Sequence, residues 1–472
     1  MRISRGACNF LKFRKFSRVI KKSSADTLQP GNPYRSILRR EYPDPFIALL
    51  AFILGIWLWD HYFAKTEGYA PGTEEIALVK IDRDLRLADT MAEDPAWLRW
   101  LAAVDEPMVA RRNALEVFQK LAAEKSISAQ GLEAFAIVKA EQEGLPISRT
   151  LGEALRGKML SDFEETSNKL AGHRGTWWHA KLIEAWEKNA QPGTHWRQSY
   201  GEDCLQLKTR AVMVRSAVWL LGLVGLFFLP GAVWRLKKGL HVRPKGYGGA
   251  WPLSLGLVVF LVTTLAWIGF TMTLELGIDA LPGLPPLAGI FLDSAARMLP
   301  TLIALGLLFR RPSHVVRVMG MDRPIALRSI LGLFALLMIV DQILRAIFGS
   351  AGSNEPGGGL SAGDAGWWGL AFAVVSACLL APLAEETLYR GVLFRSFWNR
   401  LGVVPAAVLS SVIFAALHFY DGYGLASVGI FGFTCALLYA STGSLTTVIA
   451  FHMLYNTSIK IPEWIVYHAP LG

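Results

Sequence analysis

Between Ala384 and Asn456 three short sets of polar residues interrupt long apolar runs. They are Glu385-Glu386-Thr387-Leu388-Tyr389-Arg390, Phe414-Ala415-Ala416-Leu417-His418 and His452-Met453-Leu454-Tyr455-Asn456. Ionisable side chains cost several kcal/mol at membrane depth, so they are rare there and are functional by default. Glu386 and Arg390 are four residues apart and can pair along one helix face. That pair neutralises one carboxylate and leaves Glu385 about 100° round the helix, free for another task. A carboxylate held in apolar surroundings suits a general base. A helical ion pair alone would be purely structural, but two adjacent glutamates exceed what such a pair needs. His418 follows on the next apolar run, and His452 lies two runs beyond it, one helical turn from Asn456. A lone histidine in such a run is usually an interhelical hydrogen bonder. Two of them, with Asn456, Glu385 and Arg390 on neighbouring runs, point instead to a site inside the membrane.

Two chemistries fit this set. In the first, Glu385, His418 and His452 hold a divalent metal such as Zn2+, which acidifies water and polarises a carbonyl. In the second, without metal, Glu385 and His418 activate water, while His452 and Asn456 donate hydrogen bonds to the developing oxyanion. Both end in amide hydrolysis. The HExxH pattern of zinc peptidases is absent.

The elements that must position these residues follow from composition and hydropathy. The chain has 472 residues, of which 52% are hydrophobic and 18% charged. That charge is low against the quarter or so usual for soluble domains. Apolar runs of about 20 residues recur and read as membrane spans. Nine are expected: Phe46 to Ala64, Ser216–Trp234, Trp251–Leu274, Ala288–Phe309, Ser329–Phe348, Trp367 to about Trp398, Val403–Phe419, Tyr423–Ala440 and Leu445–Ile459. The fold class is therefore all-α, a polytopic membrane bundle with a small all-α extracytoplasmic domain inserted after the first span. In order, residues 1–43 form a basic cytoplasmic segment and 44–64 an uncleaved signal anchor. Residues 65–210 form the helical domain, 211–348 spans two to five, and 349–366 a Gly-rich linker. Residues 367–460 form the catalytic core and 461–472 a tail.

Charge placement supports this order. The net charge of +10 is concentrated ahead of the first span, where Arg and Lys dominate residues 1–43. A basic block there is a topology signal, and it attracts anionic lipid rather than nucleic acid. With the N-terminus cytoplasmic, the turns at Arg235–Lys245, Arg310–Arg317 and Arg395–Arg400 fall inside. The turns at Glu275–Pro286 and Gly349–Gly366, which lack Lys and Arg, fall outside. This alternation is the one the positive-inside rule requires, and it fits a bacterial plasma membrane. Cys8, Cys204, Cys378 and Cys435 form no CxxC pair, so neither a disulfide framework nor a zinc knuckle is implied.

Within residues 65–210 five or six helices are expected. Asp94-Pro95 and Asp105-Glu106-Pro107 read as helix starts, Gly144-Leu145-Pro146 as a stop, and Thr176–Lys188 as a further helix. Trp177, Trp178, Trp186 and Trp196 read as core rather than bilayer contacts. His173, His179 and His195 show no metal-ligand spacing. The pairs Asp293/Arg297 and Asp341/Arg345 read as ion pairs facing other helices.

The three sets resemble those of the CAAX protease and bacteriocin-processing family of intramembrane endopeptidases. The resemblance covers about 90–100 residues near the C-terminus. It implies a multi-span helical protease cutting a membrane-associated protein or peptide. Glu385 matches the water-activating glutamate, His418 its partner, and His452 with Asn456 the remaining site residues. Two other readings compete: a non-catalytic immunity or scaffold protein of the same fold, and a transporter using the buried charges as a proton relay. The absence of internal repeats disfavours the transporter. Straight spans would set Glu385 and His418 roughly 10–15 Å apart in height. A long tilted helix running to Trp398, with His418 ending a short span and Arg390 buried on Glu386, removes that gap.

Overall fold

The computed structural model describes residues 73–123, 127–145, 175–187, 194–240, 251, 253–280, 286–309, 312–348, 366–418 and 422–471, with Leu50, Ile53, Leu54 and Trp57. The basic segment 1–43, most of the signal anchor and nearly all of the Gly-rich linker lie outside the described residues. So do His173 and the side chains of Trp186, His195, Trp196 and Asp293. Among the described residues all regular structure is helical.

The helical domain comprises α1 (Thr73–Thr90), α2 (Ala96–Leu101), α3 (Pro107–Ala123), α4 (Ala129–Glu143) and α5 (Trp177–Glu187). Its core joins Leu78, Leu85, Phe118, Leu121, Ile137, Trp177 and Trp178. Trp177 and Trp178 are thus core residues, as their sequence context implied. Asp89 ties three elements together, accepting from Trp177 Nε1 at 2.8 Å, Arg111 at 3.0 Å and Lys181 at 3.3 Å. Ser128 caps α4, its Oγ accepting from Gly131 N, and Gly144 ends it at φ 65°. There a side chain would be strained and glycine is not. The start of α2 differs from expectation. Pro95 itself occupies the cap position without a side-chain cap, and Asp94 pairs with Lys208 at 2.6 Å. His179 bonds Thr176 Oγ1 at 2.9 Å, an ordinary polar contact.

The membrane part contains α6 (Thr194–Gly239), α7 (Leu253–Ala280), α8 (Pro286–Leu308), α9 (Pro312–Met319) and α10 (Leu327–Phe348). After it come α11, running unbroken from Gly366 to Leu401, then α12 (Val403–Ala416), α13 (Gly422–Thr442) and α14 (Leu445–Tyr467). Among the described residues five stretches are long and apolar enough to cross a membrane: Arg197–Gly239, Leu253–Leu274, Leu327–Phe348, Trp367–Leu401 and Gly422–Thr442. Ser294–Leu308 and Val403–Ala416 are shorter apolar helices. The protein is a multi-pass membrane protein. The domain boundary placed at 210 falls inside α6, which continues from the helical domain into the membrane without a break.

Small residues set the closest helix contacts, as expected where lipid supplies no hydrophobic drive between helices. A Cβ on Gly225 of α6 would lie 2.3 Å from Leu331 O, and one on Gly332 of α10 would lie 2.7 Å from Phe228 O. At the end remote from the helical domain, α9 locks the turns. Arg395 donates to Val318 O at 2.6 Å, and Tyr439 to Met319 O at 3.1 Å.

The last helix overruns the span expected to end at Ile459. It continues to Tyr467, so most of the 461–472 tail is helix packed against the helical domain. Val466 and Tyr467 join Leu87, Leu207 and Ala211 in one apolar cluster. Arg83 donates to Val466 O at 2.6 Å, and Tyr467 donates to Asp84 at 2.6 Å.

Candidate active site

Helix α11 is irregular where it carries the glutamates. It passes from α-helix (Gly366–Val374) to a π segment (Val375–Leu380), a short α segment (Ala381–Glu385), a second π segment (Glu386–Phe394) and a closing α-helix (Arg395–Leu401). A π segment widens the turn and leaves carbonyls without their usual partners, and such segments concentrate at functional sites. In lipid those carbonyls must be satisfied from elsewhere. Thr301 of α8 donates to Ala384 O at 2.8 Å, and Asn456 of α14 donates to Ala377 O at 2.9 Å. Thr387 donates to Leu383 O at 2.7 Å within the helix.

The wide turn directs both glutamates at α14. Glu386 is fully buried, and its Oε1 accepts from Arg390 Nη1 at 3.1 Å and from His452 Nδ1 at 2.8 Å. Arg390, also buried, donates from Nη2 to Gly432 O at 3.0 Å, and its guanidinium lies 4.4 Å from the Phe414 ring centroid. Among the described residues Glu386 Oε2 and Arg390 Nε are buried without a hydrogen-bond partner. Arg390 is therefore buried on Glu386, as expected. Glu386, however, does more than neutralise it. A carboxylate oxygen can only accept, so His452 Nδ1 carries the hydrogen, and Nε2 is the atom the ring turns toward Glu385. That nitrogen lies 3.8 Å from Glu385 Oε2, and the Glu385 side chain is 27% exposed. The paired glutamate is sealed while its neighbour keeps an open face.

His418 ends the short span in a turn just after α12. Its Nδ1 lies 2.6 Å from Phe414 O. A carbonyl cannot donate, so Nδ1 holds the hydrogen and the neutral ring leaves Nε2 as its acceptor. The α11–α12 hairpin turns at Gly402, which has φ 89°. Glu385 stands seventeen residues before that turn and His418 sixteen after it. Tyr389 and Phe414 meet across the hairpin at 4.8 Å, and one turn beyond each come Glu385 and His418. The long α11 thus removes the height mismatch that straight spans implied. Phe414 is ring neighbour to both histidines, at 4.6 Å from His418 and 6.4 Å from His452.

The structure therefore gathers Glu385, Glu386, Arg390 and His452 in direct contact and sets His418 beside Phe414. Asn456 has one amide hydrogen committed to α11. Gly432 and Phe431, which sequence reasoning missed, complete the wall. Phe431 packs on His452 at 4.7 Å, and a Cβ on Gly432 would lie 3.0 Å from Arg390 Nη2. Only a small residue in an apolar run marked Gly432, and nothing local marked Phe431. For a metal, Glu385 and His452 Nε2 have the right chemistry, and a carboxylate on Nδ1 is the usual support for a ligating histidine. Among the described residues, however, no three His, Cys, Asp or Glu side chains come close enough to share an ion. A catalytic zinc normally takes three protein ligands, so the arrangement does not fit one.

Comparison with known proteins finds similarity over the same stretch of chain. Residues 367–458 match the family model described as Type II CAAX prenyl endopeptidase Rce1-like. The chain is 31% identical over 90 residues to a Bacillus subtilis (strain 168) protein named "Putative membrane peptidase YdiL". That match covers 19% of this chain and 36% of the relative, so the chain spans about a third of the length of that curated relative. No solved structure matches the chain. The region that carries the glutamates, both histidines and Asn456 is thus similar to Rce1-like CAAX endopeptidases and to a protein named "Putative membrane peptidase YdiL".

Proposed function

We propose that this chain is an intramembrane endopeptidase that hydrolyses a peptide bond of a membrane-associated protein or peptide. The observation that carries the reading is the contact set Glu385–His452–Glu386–Arg390. It places one half-open carboxylate against an imidazole whose other nitrogen is pinned by a buried ion pair. A purely structural pair needs neither the second glutamate nor the pinned histidine. A non-catalytic scaffold leaves both unexplained.

The donor geometry favours the metal-free chemistry. Glu385 takes a proton from water, and the water oxygen bonds to the scissile carbonyl carbon. His418 Nε2, the acceptor nitrogen on the neighbouring hairpin arm, serves as the second acceptor for that water. The carbonyl oxygen becomes an oxyanion, which takes hydrogen bonds from His452 Nε2, when protonated, and from the remaining amide hydrogen of Asn456. Glu385 then returns the proton to the departing amine as the C–N bond breaks, leaving a carboxylic acid and an amine.

A cleavage screen in membranes tests this. Wild type, Glu385→Ala and His418→Ala are compared for processing of membrane-borne peptides, each with and without a chelator. Loss of cleavage in both variants with chelator resistance in the wild type is the expected result. Equal processing by all three chains would remove the protease reading, and chelator sensitivity would remove the metal-free one.

A further inference from the structure

The helical domain carries two tryptophans that its own core does not use. Helix α2 contains no buried residue, and Trp97 and Trp100 are 64% and 56% exposed. They are three residues apart and so share one face. The one charged residue of α2, Arg99, is turned back onto the domain. It donates to Asp94 O at 2.8 Å and pairs with Glu106 at 3.1 Å. A short helix with its charge folded inward and two indoles outward does not suit water.

The position of α2 against α6 fixes what it faces. Trp100 packs on Trp219 of α6 with ring centroids 4.5 Å apart. Arg215 is the last charged residue of α6 before an apolar stretch, 216–234, that ends at Arg235. That stretch is nineteen residues long. At about 1.5 Å per residue it spans about 28 Å, close to the thickness of a hydrocarbon core of about 30 Å. Trp219 therefore lies in the first turn past the water boundary, and Trp100 beside it lies at the same depth. Leu220, Leu223 and Phe227 continue the same exposed apolar surface toward the far leaflet at 62%, 61% and 85% exposure. Tryptophan is enriched at this level because its ring sits among headgroups with an apolar body and a polar N–H.

We propose that α2 is an interfacial anchor. Trp97 and Trp100 enter the headgroup region of the leaflet on the helical-domain side and hold that domain down on the bilayer. The occupant of this face is lipid, because the face is continuous with the lipid-facing surface of α6. The assignment does not depend on whether the chain cuts peptides.

The test uses the full chain in nanodiscs of phosphatidylcholine with one quarter phosphatidylglycerol. Trp97→Cys is labelled with a nitroxide in a Cys8→Ser background, since Cys204, Cys378 and Cys435 are buried. Accessibility to oxygen and to a water-soluble nickel complex is compared with labels at Lys139→Cys on α4 and Leu223→Cys on α6. The expected oxygen-to-nickel ratio at 97 is several-fold above that at 139 and approaches that at 223. A ratio equal to that at 139 places α2 in water and overturns the proposal. Low accessibility to both reagents means a covering protein and overturns it equally. Hydroxyl-radical oxidation of the unaltered chain in the same nanodiscs gives a second reading free of substitution. Slow oxidation of Trp97 is expected, and oxidation at the rate of a water-exposed indole would refute the anchor.

Discussion

Glu386 offers the sharpest separation of support from catalysis. Its Oε1 holds Arg390 and His452 at once, at 3.1 Å and 2.8 Å, in a fully buried position. In Glu386→Ala the Arg390 guanidinium stays buried with no counter-charge, a loss of about 3–5 kcal/mol. Replacing the pair with apolar side chains of similar volume removes that penalty. Glu386→Leu/Arg390→Met is therefore expected within about 1 kcal/mol of wild type, or above it. Activity behaves differently, because the double variant still leaves His452 Nδ1 without its acceptor. A histidine that loses its orienting carboxylate costs about 10²–10⁴-fold in rate. The assay pairs unfolding in mixed micelles with cleavage of a membrane-borne peptide found in the screen described above. Stability restored with activity still lost is the expected pattern. Activity returning together with stability would show that the ion pair only braces the helix, and the reasoning about His452 would fail.

Three further outcomes are expected. Gly432→Ala puts a methyl group 3.0 Å from Arg390 Nη2 and 3.2 Å from Phe414. It is expected to destabilise by about 1–3 kcal/mol and to lower the cleavage rate, whereas Gly269→Ala, whose Cβ meets open space, changes neither in the same unfolding and cleavage assays. Asn456→Ala removes the donor to Ala377 O and is expected to cost about 1–3 kcal/mol in the unfolding midpoint, besides its effect on rate. His468, at the domain end of α14, is pushed from its ordinary 6.5 down to about 4 by burial, with Arg83, Lys80 and Lys460 adding repulsion. The folded chain thus refuses a proton that the unfolded chain accepts, so the stability from His468 is full above pH 6.5 and is lost as pH falls toward 4. His468→Gln is expected to flatten the stability–pH profile across that window relative to wild type, and an unchanged profile would refute the shift.

The contact set Glu385, Glu386, Arg390 and His452 in the candidate site drew on residues that stand out as ionisable groups in apolar runs, and the spacing of Glu386 and Arg390 announced their pair. The two π segments were not legible. The stretch 375–394 does carry Pro382 and Gly391, but these mark only a weakened helix and not a widened turn, and the wide turns are stabilised by Thr301 and Asn456 from distant helices. The contact between Glu386 and His452 was hidden for the same reason, since sequence distance says nothing about which nitrogen meets which oxygen. Asp341 and Arg345 do pair, at 2.8 Å, and face another helix as expected: Tyr423 of α13 bonds Asp341, and its ring centroid lies 5.4 Å from the Arg345 guanidinium. The end of α14 was misjudged because Lys460 and Glu463 look like the close of a membrane span. In the fold they pair with each other while the helix runs on to the helical domain.

The hairpin at Gly402 behaves like a folded ruler with a mark on each arm. One arm carries Glu385 and the other His418, at nearly equal distance from the crease. Removing a single residue from α12 would lower its mark by about 1.5 Å and swing it round by about 100°. The opposite arm would not follow. Changes in length within either arm are therefore barred unless the other changes with it, whereas the crease itself is the one place where the pair can be re-spaced together.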